Sequence, residues 1–128
     1  MDFHHIGIAC HDIAQTLNSI RRFHNVSQES AIIHDPHQDA DVCLVSLAGG
    51  PVLELVTGPQ VAGLIKNHIT YYHVCYVVDD LEQSIAEASK SEAVLCSPPK
   101  PCNRAAYWGS PTIGPLIGTD RGPKNSSI

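Results

Sequence analysis

The sequence predicts an α+β fold built from two βαβββ modules. Two observations carry this. The stretch "FHHIGIACHDIAQTL" at Phe3 returns as "YHVCYVVDDLEQSI" at Tyr72, with His73 lying 68 positions after His5. The strand ends repeat as well, "GPVLELVTG" from Gly50 matching "GPLIGTDRG" from Gly114. A repeat of this length is too long for a solenoid unit and fits two copies of one supersecondary unit.

In the first copy, Phe3 to Cys10 is a run of β-formers and reads as a strand. Asp12 then offers an oxygen to the free N–H groups of a first helical turn, with Gln15 three residues on. Ile13, Leu17 and Ile20 fall on one face of that helix, and Arg21 and Arg22 sit near its end, where cations suit the dipole. "ESAIIHD" reads as the next strand, "PHQDAD" as a polar turn, and "VCLVSLA" and "PVLELVT" as a hairpin about Gly49-Gly50. Gly58 to Thr70 reads as a joining segment with a helical turn or two in "QVAGLIKN".

The second copy follows the same order. Tyr71 to Val78 is a strand, and Asp80 caps a helix with Leu81, Ile85 and Ala88 on one face. "AVLCSPPKP", "AAYWGSP" and "PLIGTD" supply three further strands. The organisation expected is one domain over 1–128: a first module to about 58, a linker over 59–70, a second module over 71–120 and a polar tail over 121–128.

Alternation along a strand sorts the side chains. Ile6, Ile8 and Cys10 share the face under the helix, which leaves His5, Gly7 and Ala9 on the other, beside a cavity. In the repeat His73, Cys75 and Val77 take that second face. Core-facing Leu53 and Leu55 turn Glu54 the same way. His5, Glu54 and His73 are therefore expected on one concave surface, where two imidazoles and a carboxylate suit a divalent transition metal.

Composition excludes several classes. With 8 basic against 13 acidic residues, a net charge of −5 and no basic run, nucleic acid and anionic membrane surfaces are poor partners. No apolar run reaches membrane-spanning length, and "MDFHHIG" does not read as a secretion signal. The five cysteines are odd in number and form no CxxC; Cys10, Cys43, Cys75 and Cys96 sit in apolar runs as small hydrophobes. A cytoplasmic protein with reduced thiols is expected. "HDPH" with Asp39 and Asp41 reads as a solvated hairpin turn.

The motifs "HHIGIACHDI", "PVLELV", "HVCYVVDDLEQSI" and "SPPKP" resemble the vicinal oxygen chelate superfamily, which includes glyoxalase I, methylmalonyl-CoA epimerase, extradiol dioxygenases and bleomycin-binding proteins. The resemblance spans Phe3 to about Asp120, and its first and third motifs are most like the epimerases. It implies a curved mixed sheet around a cleft with helices outside. It implies a divalent ion (Zn, Ni, Co, Mn or Fe) held by His5, Glu54 and His73, with Glu54 also serving as acid or base.

The same likeness implies a lyase- or isomerase-type reaction on a small carbonyl or acyl-CoA substrate. The family's fourth ligand position falls here on Gly118, which has no donor; Asp120 lies two residues further on. That departure supports an alternative, a non-catalytic small-molecule binder with a degenerate metal site. Lys100 and Arg104 are expected to meet an acidic substrate, one of Tyr107 and Trp108 to face the cleft, and Trp108 to favour a homodimer.

Overall fold

The structure, a computed structural model, describes residues 2–91 and the strand 116–118. The elements run β1 (Asp2–Ala9), α1 (Ile13–Phe23), β2 (Val26–Glu29), β3 (Ile33–Asp35), β4 (Ala40–Leu47), β5 (Val52–Thr57), α2 (Pro59–Lys66), β6 (Tyr71–Val77), α3 (Leu81–Ser89) and β7 (Leu116–Gly118). The strands form one mixed sheet in the order β2-β4-β5-β1-β6-β7, with β3 also pairing β4. This is the α+β, glyoxalase-like arrangement that the pattern predicts.

Both expected caps form. Asp12 accepts from the Gln15 N–H at 2.8 Å, and Asp80 accepts from the Gln83 N–H at 2.9 Å. Ile13 and Leu17 bury the apolar stripe of α1 against Ile8, Cys10, Cys43, Val45, Leu53 and Leu55. That cluster fixes which way β1 and β5 face, because the residues that alternate with it must turn to the opposite side of the sheet.

Two boundaries differ from expectation. Residues 29–35 do not make one strand: β2 and β3 are separate pieces on the same edge of β4. Between them the Ser30 N–H donates to the Leu44 carbonyl at 2.9 Å and its hydroxyl accepts from the Leu44 N–H at 2.8 Å. A side chain thus replaces one rung of the ladder. Val26–Glu29 is strand despite its polar composition, because it pairs with β4. The joining segment holds the two or so turns of helix expected there, α2, whose Val61 is buried with Ala9, Ala40, Val42 and Val56. Those strand residues lie on the face that carries Glu54, so α2 closes one end of that face whereas α1 lies on the other side.

The centre of the molecule is the β1–β6 pair. Its register maps onto itself when each residue is exchanged with the one 68 positions away. His5 opposite Cys75 becomes His73 opposite Gly7, Phe3 opposite Tyr76 becomes Tyr71 opposite Ile8, and Ile6 opposite Val74 is its own image. Each strand carries one bulge. The register steps past His4 on β1 and past Tyr72 on β6, and these two residues are again counterparts.

The outer pairings match in position only. β5 runs parallel to β1, with Glu54 beside Gly7. β7 runs antiparallel to β6, with Gly118 beside Cys75. Cys75 is the counterpart of Gly7, so the slot corresponding to Glu54 does hold a glycine, on a strand of opposite sense.

Candidate metal centre

Three strands meet at His5, Glu54 and His73. β1 and β6 bring the two histidines together through their antiparallel register, and the parallel β1–β5 pairing sets Glu54 beside Gly7. His5 Nε2 lies 3.0 Å from Glu54 Oε2, and His73 Nε2 lies 3.1 Å from the same oxygen. The two Nε2 atoms are 3.1 Å apart. His5 is 1% exposed, and the side chains of Glu54 and His73 are 14% and 21% exposed. The cluster is thus buried on one side and reachable from the other.

Gly7 makes this approach possible. A Cβ built on Gly7 would stand 2.2 Å from His73 Cε1 and 2.3 Å from its Nδ1. The imidazole of His73 occupies the space that any other residue at position 7 would fill. The cavity expected beside His5, Gly7 and Ala9 is filled instead: the imidazole of His73 occupies the space over Gly7, and Ala9 packs in a cluster with Val61 of α2.

Burial alone would raise the Glu54 carboxyl. Hydrogen bonds from His5 and His73, together with their positive charge when protonated, outweigh this and hold it well below the usual carboxylate range. Glu54 is therefore ionised at neutral pH, as a metal ligand must be. The chemistry of the donor set fits a divalent ion: two neutral imidazole nitrogens and one carboxylate oxygen are common ligands for zinc and its neighbours. The spacing fits too. Donors ~2.1 Å from a shared ion lie roughly 3.0 to 3.4 Å apart as the ligand–metal–ligand angle opens from square to tetrahedral. All three separations here fall in or close to that interval, so the residues present could take an ion with little adjustment.

Two neighbours of the cluster escape sequence reasoning. His4 Nδ1 lies 2.9 Å from His5 Nδ1, and the two rings meet edge to face with centroids 5.1 Å apart. Tyr72 meets His73 in the same way at 4.4 Å. Strict alternation would send His4 and Tyr72 to the opposite face from the ligands; the bulges undo this. The available signal was the pairing of His4-His5 with Tyr72-His73 at the repeat spacing. Burial and the nearby Glu54 charge push the Tyr72 hydroxyl up, so it stays a neutral phenol.

Lys100, Arg104, Tyr107, Trp108 and Asp120 lie outside the described residues, as do Cys96, the strands expected in "AVLCSPPKP" and "AAYWGSP" and the tail 121–128. Burial pushes the thiols of Cys10 and Cys43 up, in keeping with their role as core residues. His34 sits 3.0 Å from Asp41 in an exposed hairpin, the solvated turn expected there. An open cleft of about 530 Å³ between α2 and the end of β5, lined by Cys10, His11, Thr57, Lys66 and His68, contains none of the three clustered residues. Among the described residues no helix is long and apolar enough to cross a membrane.

Comparison with known proteins gives a family. The model described as Glyoxalase/Bleomycin resistance protein/Dioxygenase superfamily matches residues 4–107, most of the chain. No curated protein matches the sequence.

Proposed function

Because the chain belongs to the Glyoxalase/Bleomycin resistance protein/Dioxygenase superfamily, we propose that His5, Glu54 and His73 hold a divalent metal ion (zinc, nickel, cobalt, manganese or iron) and that the protein abstracts a proton next to a carbonyl. The substrate class is a small carbonyl compound or acyl-CoA thioester, and the reaction is of the lyase or isomerase type, most like the methylmalonyl-CoA epimerases of the family. The observation that carries this reading is the mutual approach of two Nε2 atoms and one carboxylate oxygen drawn from three strands.

When bound, the ion would polarise the substrate carbonyl and stabilise the enolate that proton loss creates. His5 and His73 hold their Nε2 atoms toward the common centre. Glu54 is the carboxylate assigned to ligation and to proton transfer. While both imidazoles donate to it, its basicity is low, so it takes up a proton only once those donors are withdrawn. Exchange of one proton needs one such group. Inversion between two opposed bases needs another, and the slot corresponding to Glu54 holds Gly118. Lys100 and Arg104 are assigned to an acidic part of the substrate, and Tyr107, Trp108 and Asp120 to the rest of its binding. The reading includes a cytoplasmic setting and a homodimer.

A second reading has one observation in its favour. Gly118 removes a donor where the repeat would supply one, which suits a protein that binds a small molecule without transforming it. Elemental analysis of gently purified protein, followed by incubation of metal-loaded protein with acyl thioesters in deuterium oxide, separates the two. The proposal expects about one divalent ion per chain and deuterium at the carbon next to the carbonyl, lost in Glu54→Gln. A metal-free protein that binds thioesters or drug-like ligands without exchange would establish the binder instead.

A further inference from the structure

His4 and Tyr72 stand at counterpart positions, each immediately before a clustered histidine, and each is the extra residue of a β-bulge. A bulge re-aims a side chain that the pleat would otherwise send to the far face. Here both bulges do the same thing. Each brings a ring edge to face against the imidazole that follows it, at interplanar angles of 84° for His4–His5 and 88° for Tyr72–His73. Edge-to-face contact of this kind favours one ring orientation over rotation about the side-chain bond. The His4 contact adds a hydrogen bond, Nδ1 to Nδ1 at 2.9 Å. It engages the nitrogen of His5 that does not face Glu54.

We propose that His4 and Tyr72 are positioning residues, each bulge placing a ring that fixes the next imidazole with Nε2 toward the common centre. Their ring contacts with the cluster run through the imidazoles of His5 and His73, through which both act. His4 does more than Tyr72, because its hydrogen bond at Nδ1 acts together with Glu54 at Nε2 on the tautomer of His5, as well as on the ring's angle. A hydrogen bond at the outer ring nitrogen of a metal-binding histidine orients the ring and fixes the nitrogen left to bind. The double histidine at the head of β1 is then one unit: His5 as the donor and His4 as its support. The consequence for metal affinity rests on the metal reading proposed above, whereas the positioning itself does not.

The test uses the full chain and has two independent readouts. In metal-free protein, long-range ¹H–¹⁵N correlation spectra should show His5 as a single tautomer. In a Glu54→Gln background, where the group facing Nε2 can accept or donate, adding His4→Ala should give a tautomer mixture, and His4→Asn, which can place a polar atom near the position of Nδ1, should restore one form. In cobalt(II) titrations followed by visible absorption, His4→Ala should weaken binding by ~10- to 100-fold, the usual cost of losing an outer-shell partner. His4→Asn should recover most of that loss. Tyr72→Phe, which keeps the ring, should bind as the wild type does, and Tyr72→Ala should bind more weakly. A single unchanged His5 tautomer on adding His4→Ala to Glu54→Gln would overturn the proposal, as would unchanged cobalt affinity in both alanine variants of a protein that binds cobalt. If the wild type takes no cobalt while the His5 tautomer still responds to His4→Ala, the positioning role stands and the metal reading falls.

Discussion

Gly7→Ala adds a single carbon where β1 has Glu54 beside it on one side and His73 on the other. The backbone at Gly7 lies outside the left-handed region, so alanine is compatible with it and any effect arises from the new Cβ. That Cβ would stand 2.2 Å from Cε1 of His73, where ordinary contact begins at 3.4 Å. The imidazole must retreat by about 1.2 Å or more to relieve the overlap. His73 Nε2 now lies 3.1 Å from Glu54 Oε2. A retreat of that size carries the spacing to roughly 4 Å, outside the ~3.0 to 3.4 Å that a shared ion requires.

The side chain of His73 is 21% exposed, so it has a route toward solvent and the fold need not absorb the strain. Overpacking usually costs 1–3 kcal/mol, and the low end, about 1 kcal/mol, is expected here. Metal affinity should fall far more, by at least ~100-fold, because a ligand is lost and not merely loosened. Urea denaturation and competition titration with zinc measure the two effects separately. His73→Ala should cost less stability in the Gly7→Ala background than in the wild type, by about 1 kcal/mol of coupling, because the clash is already removed. A Gly7→Ala protein with wild-type zinc affinity would show that the close packing of Gly7 on His73 does not hold the site together.

Two further predictions concern stability. Glu54 is held below its ordinary value of 4.5, so its contribution is present above that pH and is lost progressively as pH falls below it. Glu54→Gln should therefore lower stability at pH 7 by about 1.5–3 kcal/mol and flatten the acid limb of a stability–pH profile in urea; an unchanged acid limb would count against the hydrogen bonds from His5 and His73. Asp12→Ala and Asp80→Ala each remove a side-chain acceptor from a helix start and should each cost about 1 kcal/mol in the urea midpoint, with serine restoring most of it.

Much of the fold was legible because it is local. Asp12 and Asp80 mark helix starts through hydrogen bonds that reach only three residues along the chain. Ile13 and Leu17 mark the buried stripe of α1 through the helical period alone. The break at Ser30 was not legible, since its side chain acts as a rung only when Leu44 lies opposite. Residues 59–66 were legible as a turn or two of helix, but their packing was not, because the burial that stabilises α2 comes from Ala40, Val42 and Val56 on distant strands.

The candidate site divides along the same line. The sequence by itself determined that His5, Glu54 and His73 share one face of the sheet, because side-chain direction follows from counting by two along each strand and the repeat supplies the second histidine. Only the tertiary structure decided that Glu54 stands beside Gly7, that His73 fills the space over that glycine, and that bulges turn His4 and Tyr72 toward the cluster. Those facts depend on the register between strands far apart in the chain. The hydrophobic pattern of one strand says which face is buried, but which residue of a distant strand stands opposite is settled only when the two faces pack together.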